Sequence, residues 1–433
     1  MLSLKKLNLG QTEKQTFKIH LVYSIIEGVI AGILALNEFT FLKSLKGSNV
    51  QLSFLFQFSM IVFLFLIIFN EFIKRTKNKK QLLRVTAVVT RAPLLLLFFF
   101  PNSNQEVLAN PIYHFIFLGI FLIYYLASPI IFPTINLFLK NSYRHENFGK
   151  LYGYATTINK IVLLITTFLY GILLDYNNFA FNFMLPVVAI LGILSAYILS
   201  TIRYSSSEIA PEKSSFFESV RTSFRSMKII QKNNKPYRDF EIGFMFYGFA
   251  MMSTVSIINI FFDKTLHLNY SSVAFYKNSY NIIAILLLPF FSRLIGKIDP
   301  RKFAIITFSS ICLYLSCLAL TEYFQYHTEI LGVQIYYLLI VYVLFHSVFA
   351  ATMSLLWSIG SAYFCKKSEA DLYQATHLYL TGVRAIFAPI VGVIFYQYFG
   401  FAITIIIAVI SLIIGIAYLY TSQKITGDLQ RYE

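Results

Sequence analysis

Five basic side chains, Arg84, Arg91, Lys160, Lys277 and Arg384, lie inside long apolar segments, together with Glu27, His346 and His377. A cation near the centre of a bilayer costs from about 3 to more than 10 kcal/mol, depending on how far it reaches toward water. A chain that keeps several of them is expected to hold them against water, a counter-charge or a polar ligand. Such groups bind and release anions and protons; they do not form a nucleophilic or metal-based catalytic set. Glu27 and His377 are the candidate proton sites. Burial keeps a carboxyl protonated closer to neutral pH, and imidazole titrates in that range without help.

The spacing groups these residues on faces. His20, Tyr23, Glu27, Ala31, Leu34 and Glu38 recur every three or four residues and share one side of a helix. Glu27 and Glu38 then stand roughly 16 Å apart along its axis. The stripe suits an aqueous cavity, with Glu27 either a protonatable group or half of an ion pair with a buried cation. Gly28 and Gly32 on the same helix form the small-xxx-small pattern of close helix packing. Further along, Gly153, Thr156, Lys160, Thr167 and Gly171 share a face, as do His377, Thr381, Arg384 and Ala388. Lys160 and Arg384 each fall on the order of 15–20 Å from one end of their helix, near midplane. Three readings stay open for them: two cations binding an anionic group, an ion pair with Glu27, or snorkelling. Tyr342, His346, Met353 and Trp357 form another face, where His346 bonds a ligand or merely packs, and Trp357 stacks a ring or anchors at the interface. Ser256, Asn259 and Asp263 line up in a third place, with Asn259 a candidate ligand contact. Arg91 reads as a buried structural cation, and Arg84 and Lys277 as side chains near segment ends.

The elements that must position these groups are membrane helices. The 433 residues are 57% hydrophobic and 13% charged, against about 25% charged in soluble domains; mean hydropathy is +0.65. A helix needs about 20 apolar residues to cross the hydrocarbon core. That window predicts spans near 18–42, 50–70, 82–100, 112–138, 151–175 and 179–202, then 240–262, 271–295, 302–321, 334–363, 372–397 and 400–420. Pro129 and Pro133 are expected to kink the fourth. The sequence predicts an all-α membrane protein of twelve transmembrane helices in two six-helix bundles, 1–202 and 240–433, joined by a linker at 203–239. Within the linker, residues 216–224 read either as a short amphipathic helix on the membrane surface or as a solvated tether.

Loop charge tests that topology. With the N-terminus inside, 28 Lys and Arg residues fall in inside segments, 3 in outside loops and 5 in spans, accounting for all 36. This positive-inside bias predicts both termini on the cytoplasmic side of the cytoplasmic membrane, and it assigns the net charge of +16 to orientation, not to nucleic-acid binding. Cys312, Cys317 and Cys365 make neither a disulfide framework nor a CxxC pair. No metal or cofactor site is expected, and P-loop, HExxH and dinucleotide glycine signatures are absent. The two halves also echo each other. Phe69, Ile73 and Lys80 recur as Phe291, Ile295 and Lys302 at an offset of 222, and Leu151, Tyr152 and Gly171 as Leu372, Tyr373 and Gly392 at 221.

Six plus six helices around a basic central loop resemble the major facilitator superfamily of transporters. Residues 380–392, Leu-Thr-Gly-Val-Arg-Ala-Ile-Phe-Ala-Pro-Ile-Val-Gly, are similar to its eleventh helix, and residues 143–150, Tyr-Arg-His-Glu-Asn-Phe-Gly-Lys, to its loop between helices four and five. The superfamily signature after helix two departs from type. Asn70 and Lys74 replace its Gly and Asp, leaving the basic character of Arg75, Lys77, Lys79 and Lys80, and the second copy has Ser292, Leu294, Gly296 and Lys297. Helix five lacks the Gly-Pro motif of proton–drug antiporters. The resemblance implies a secondary transporter, a symporter or antiporter working as a monomer by alternating access, with helices one, four, seven and ten as cavity walls. The buried cations point to a small anionic or zwitterionic substrate, with a proton as coupling ion. The alternatives are drug or metabolite efflux by the same fold, a lipid-modifying membrane enzyme using His145 and Glu146, and a non-transporting sensor.

Overall fold

The computed structural model describes residues 9–203, 215–366 and 369–427. Eleven helical stretches are long and apolar enough to cross a bilayer: α1 (Gln11–Lys43), α2 (Asn49–Arg75), α3 (Lys79–Phe99), α4 (Ile112–Ser142), α5 (Lys150–Tyr176), α6 (Phe181–Ser200), α7 (Lys235–Lys264), α8 (Tyr270–Ile295), α9 (Pro300–Tyr323), α10 (Tyr337–Leu355) and a stretch at Ala370–Thr426. The last one is two helices. Gly400 takes φ 78°, a left-handed conformation open to glycine, and divides it into α11 (370–399) and α12 (401–426). Twelve helices result, each satisfying its own backbone as a lipid environment demands. Starts are fixed by side-chain caps: Ser48, Asn78, Asn234, Asn269 and Asp299 each accept an N–H from the first turn that follows.

Several helices are interrupted where the sequence supplies a cause. α4 breaks at Leu126 and Ala127, just ahead of Pro129, whose ring cannot continue the hydrogen-bond ladder. The second half of α3 tightens into 3-10 turns over Ala92–Phe99 with Pro93 at their start. α10 stops at Leu355 and passes through a π-turn, Leu356–Gly360, and a 3-10 turn, Ser361–Phe364.

Two local expectations need correction. Residues 334–336, read as the start of helix ten, belong to an antiparallel hairpin of β1 (His327–Ile330) and β2 (Val333–Tyr336). Leu331 and Gly332 turn it at φ 52° and 76°, the left-handed pair that a tight hairpin requires. The alternating Val333-Gln334-Ile335-Tyr336 was apolar enough to be absorbed into a hydropathy window. The possible helix at 216–224 runs twice as far, from Phe216 to Asn233.

The chain packs as two compact units, Met1–Lys46 with Ile68–Phe216, and Gly47–Ile67 with Phe217–Glu433. In unit 1, α1 lies against α5 and α6. A Cβ at Gly28 would stand 2.7 Å from the Asn159 carbonyl oxygen, and one at Gly32 would stand 2.6 Å from Thr166 Cβ. Only glycine permits that approach, as the spacing predicts. The Asn159 amide reinforces it by donating to the Ser24 carbonyl at 2.9 Å, and the Thr167 hydroxyl lies 3.1 Å from the Gly32 carbonyl.

In unit 2, α7 packs against α11 and α12, with a polar clasp at the end where α7 begins. Arg301, fully buried, donates to both Asp299 oxygens (Nε 3.0 Å, Nη2 2.8 Å) and to Ser422, Thr426 and the Gly427 carbonyl. Ser422 also donates to Asp239 at 2.7 Å, so one network fastens α7, α9 and α12. The carboxylates missing from the signature positions therefore have near neighbours: Asp299 here, and in unit 1 the buried Glu71, paired with Lys74 at 2.7 Å.

Candidate functional site

Unit 1 surrounds Glu27. Its Oε1 lies 2.6 Å from Ser195 Oγ on α6, and that hydroxyl lies 3.0 Å from the Gly192 carbonyl. A serine has one proton, so this chain has two complete arrangements. Either Ser195 donates to an ionised Glu27, or a protonated Glu27 donates to Ser195, which donates to Gly192. Glu27 forms no ion pair within 4 Å among the described residues, but it sits in the field of Arg91 from α3, with Tyr23 and Tyr124 also interacting. Arg91 stands over the Tyr124 ring at 4.7 Å and donates to Thr90 at 2.8 Å. Its stem lies against Gly192, where a Cβ would come 2.9 Å from Arg91 Cγ.

Lys160 differs from every other mid-membrane cation. It is exposed, and its ammonium makes no hydrogen bond or ion pair among the described residues. Its strip of α5 carries Gly153, Thr156 and Gly171, and a Cβ at Gly153 would meet nothing within 4 Å. The fully apolar exposed residues Ile161, Ile165, Phe168 and Ile172 occupy a strip about 100° further round the helix.

Unit 2 surrounds an acid–imidazole pair. His377 Nδ1 on α11 lies 3.0 and 3.1 Å from the two carboxylate oxygens of Glu241 on α7, with side-chain exposures of 1% and 2%. The other ring nitrogen, Nε2, is buried with no hydrogen-bond partner. Trp357 meets the imidazole edge-on at 5.2 Å, and so does Phe244 at 4.9 Å. Two turns along α11, Arg384 donates from Nη1 to the Phe244 carbonyl at 2.8 Å and from Nη2 to Thr381 at 2.7 Å, while Nε is unpaired. Its stem fills the notch left by Gly248 on α7, where a Cβ would overlap it. Glu241 and Tyr247 interact with it electrostatically. Arg384 is therefore buried in protein, with Glu241 offsetting its charge.

His346 is held between stacked rings, Tyr280 at 3.8 Å and Tyr314 at 4.6 Å, with Tyr342 Oη 2.6 Å from Nδ1. A run of rings through Phe349, Tyr247 and Phe244 joins it to His377, so two of the expected residues share one aromatic core. Trp357 lies in the π-turn, which shifts its register from the expected α10 face and brings it to His377. Asn259 bonds back to its own helix at the Val255 carbonyl, 3.1 Å away, and the nearby Ser256 hydroxyl is buried and unpaired. The side chains of His145 and Glu146 lie outside the described residues. No three His, Cys, Asp or Glu side chains among the described residues converge on a metal position.

Glu241 and Ser195 were not singled out from the sequence. A predicted span beginning at residue 240 put Glu241 in the polar margin, whereas α7 begins at Lys235 and carries it inside. No spacing rule links it to His377, 136 residues away.

The Major Facilitator Superfamily profile matches residues 19–368. No curated protein matches the chain by sequence. Among solved structures, the nucleoside transporter NupG is similar at 15% identity, covering 97% of this chain and 100% of its own, with a TM-score of 0.65. A POT family transporter in complex with a thioalcohol-conjugated peptide is 11% identical over 96% of this chain and 100% of its own, with a TM-score of 0.68. The xylose transporter XylE from E. coli, in a partially occluded inward-open conformation, is 10% identical over 98% and 100%, with a TM-score of 0.62. At such identities the likeness is one of fold. Taken with the profile match and the twelve helices, it means that this chain belongs to the Major Facilitator Superfamily and is a membrane transporter, not an enzyme.

Proposed function

We propose that the protein is a proton-coupled secondary transporter of a small anionic or zwitterionic solute, working by alternating access in the cytoplasmic membrane with both termini inside. The observation that carries this reading is the Glu241–His377 pair, an acid and a base buried together with one imidazole nitrogen unpaired and Arg384 in the same field. A proton arriving at this pair has a defined seat, and its charge redistributes Arg384 between Glu241 and whatever else is near. Glu27 supplies a second seat, since its bond to Ser195 is complete whether it is ionised or neutral. Lys160 is the cation left available to a substrate anion. Arg384 contributes through Glu241 and Thr381, and reaches a ligand only when its bond to the Phe244 carbonyl opens. His346, Trp357 and Asn259 complete the substrate-facing set in this reading.

A second reading, export of a planar aromatic metabolite or drug, draws support from the aromatic stack of Tyr280, His346 and Tyr314, which would take a planar solute in place of the imidazole once His346 leaves it.

The test begins with thermal-shift screening of the purified protein against acidic, zwitterionic and aromatic metabolites, since a ligand of the folded state raises its stability. Hits then enter proteoliposomes containing a pH-sensitive dye. Inward proton movement with an acidic or zwitterionic hit is the expected result. Transport without proton movement removes the coupling, and hits confined to uncharged aromatics favour the second reading.

A further inference from the structure

The helix Phe216–Asn233 has an outward face that neither transport reading uses. At 100° per residue its exposed side chains order themselves round the helix as Phe224, Phe217, Lys228, Arg221, Lys232, Arg225, Glu218, Ile229, Thr222 and Asn233. Four cations thus occupy a stripe about 60° wide, with one acid at its margin. Exposed apolar side chains flank the stripe on both sides: Phe217 at 81% and Phe224 at 38% on one, Ile229 at 49% on the other. Packing within the protein accounts for Phe224, but a purely solvated helix has no need of Phe217 and Ile229 so exposed beside its charges.

The helix is fixed beside the membrane. Only Asn234 separates it from α7, and Asn234 caps α7 while donating to the Phe364 carbonyl at 2.8 Å and to Tyr373 at 3.1 Å. Met227 is buried on the opposite face, and Phe224 packs edge-on against Tyr379 of α11 at 5.3 Å. The axis is thereby held against the N-terminal end of α7 and the first half of α11.

We propose that this helix binds the anionic phospholipid headgroups of the adjoining leaflet, Lys228, Arg221, Lys232 and Arg225 meeting phosphates while Phe217 and Ile229 enter the acyl boundary. Charge complementarity decides for lipid: an anionic leaflet favours each nearby basic residue by about fivefold in partitioning, and the apolar borders add burial that a soluble anion would not offer. The helix then ties α7, which carries Glu241, to the lipid composition around the protein.

The experiment measures amide hydrogen exchange of residues 216–233 in the full-length protein held in nanodiscs of phosphatidylcholine alone and of a mixture with one third phosphatidylglycerol. Exchange is expected to slow by at least about tenfold in the anionic bilayer, given four basic residues at that gain apiece. R221Q/R225Q/K228Q/K232Q should lose the slowing, and F217S/I229S should lose part of it. Raising salt on the unaltered protein should remove most of the difference, which keeps the test decisive if a variant does not assemble. Equal exchange in both bilayers overturns the proposal in favour of a solvated tether or a protein partner. Slowing that survives both the four-glutamine variant and high salt overturns the charge-based binding.

Discussion

Truncating Glu241 tests the pair on which the coupling proposal rests. Glu241→Ala leaves His377 with both ring nitrogens buried and unpaired, and it leaves Arg384 without its offsetting charge. Leaving the buried Arg384 charge uncompensated is strongly destabilising, about 3–5 kcal/mol. For a unit of roughly 200 residues each kcal/mol moves Tm by about 2–4 °C, so the expected fall is about 6–20 °C. Glu241→Gln keeps an acceptor opposite Nδ1 and should lose less, about 1–3 kcal/mol. His377→Phe leaves the carboxylate buried and is also expected to destabilise. The double variant E241M/H377F removes both polar partners, so it should be more stable than the sum of the single losses by about 2 kcal/mol, within the range of contacting pairs. All three cysteines, Cys312, Cys317 and Cys365, belong to unit 2 and are buried or half-buried, so a thiol-reactive dye reports the unfolding of the unit that holds the pair. Strict additivity of E241M and H377F would refute the interaction. In transport, a pH gradient of one unit supports about tenfold accumulation per coupled proton. Glu241→Gln should abolish that accumulation and spare exchange down a substrate gradient, and accumulation at the unaltered level would refute coupling through this pair.

Three further outcomes follow from the geometry. Lys160→Ala should abolish transport of an anionic substrate while changing stability by less than about 0.5 kcal/mol, because the ammonium is exposed and unpaired; transport at the normal rate would remove Lys160 from the site. Glu27→Gln keeps a side chain able to bond Ser195 but removes the titratable proton, so it should flatten the pH dependence of transport with counterflow retained, and an unchanged pH profile of uptake would discard it. Arg301→Gln should lower the Tm of unit 2 by the same range as Glu241→Ala, since it removes the charge that offsets the buried Asp299 and releases Ser422, Thr426 and Gly427. A double D299N/R301M variant, which keeps a capping side chain on α9 and removes both charges, recovering part of that loss in the thiol-dye assay would assign the effect to the uncompensated charge.

The membrane helices were legible because burial in lipid leaves a signal that each segment carries alone. Every predicted span has its helix, with ends displaced by up to eight residues, and at α10 the start is a hairpin whose turn, Leu331 and Gly332, is too short to interrupt an apolar window. The glycines of α1 were legible for a similar reason: Gly28 and Gly32 repeat at the spacing of a packing face. The site was legible as single residues and not as partnerships. His377 and Trp357 were both marked, yet their contact depends on a π-turn that displaces the indole from the face an α-helical count gives it. Glu241 was hidden because hydropathy treats a charge near a span edge as the edge.

The arginines show what a sequence reading of buried charge leaves out. A cation deep in an apolar segment was expected to stand against water, a counter-charge or a polar ligand, and Lys160 lies exposed on its helix. Arg91 and Arg384 are held another way. Each lays its stem on a glycine of a neighbouring helix, Gly192 and Gly248, and each directs its charge to local acceptors or a ring. The notch lets the helix backbones approach, so the aliphatic carbons pack as a hydrophobic side chain would. Only the head then needs polar partners, and in both units an acid on α1 or α7 lies within its field. The two units therefore share a physical design, an arginine seated on a glycine and facing a carboxylate, built from different helices: α3 and α6 around α1 in one, α11 and α7 in the other. Charge of this kind is costly to expose to lipid and cheap to keep while the notch is intact. A conformational change that separates α7 from α11 would have to break the Arg384 bonds, and a proton on Glu241 is the change that weakens its hold on Arg384.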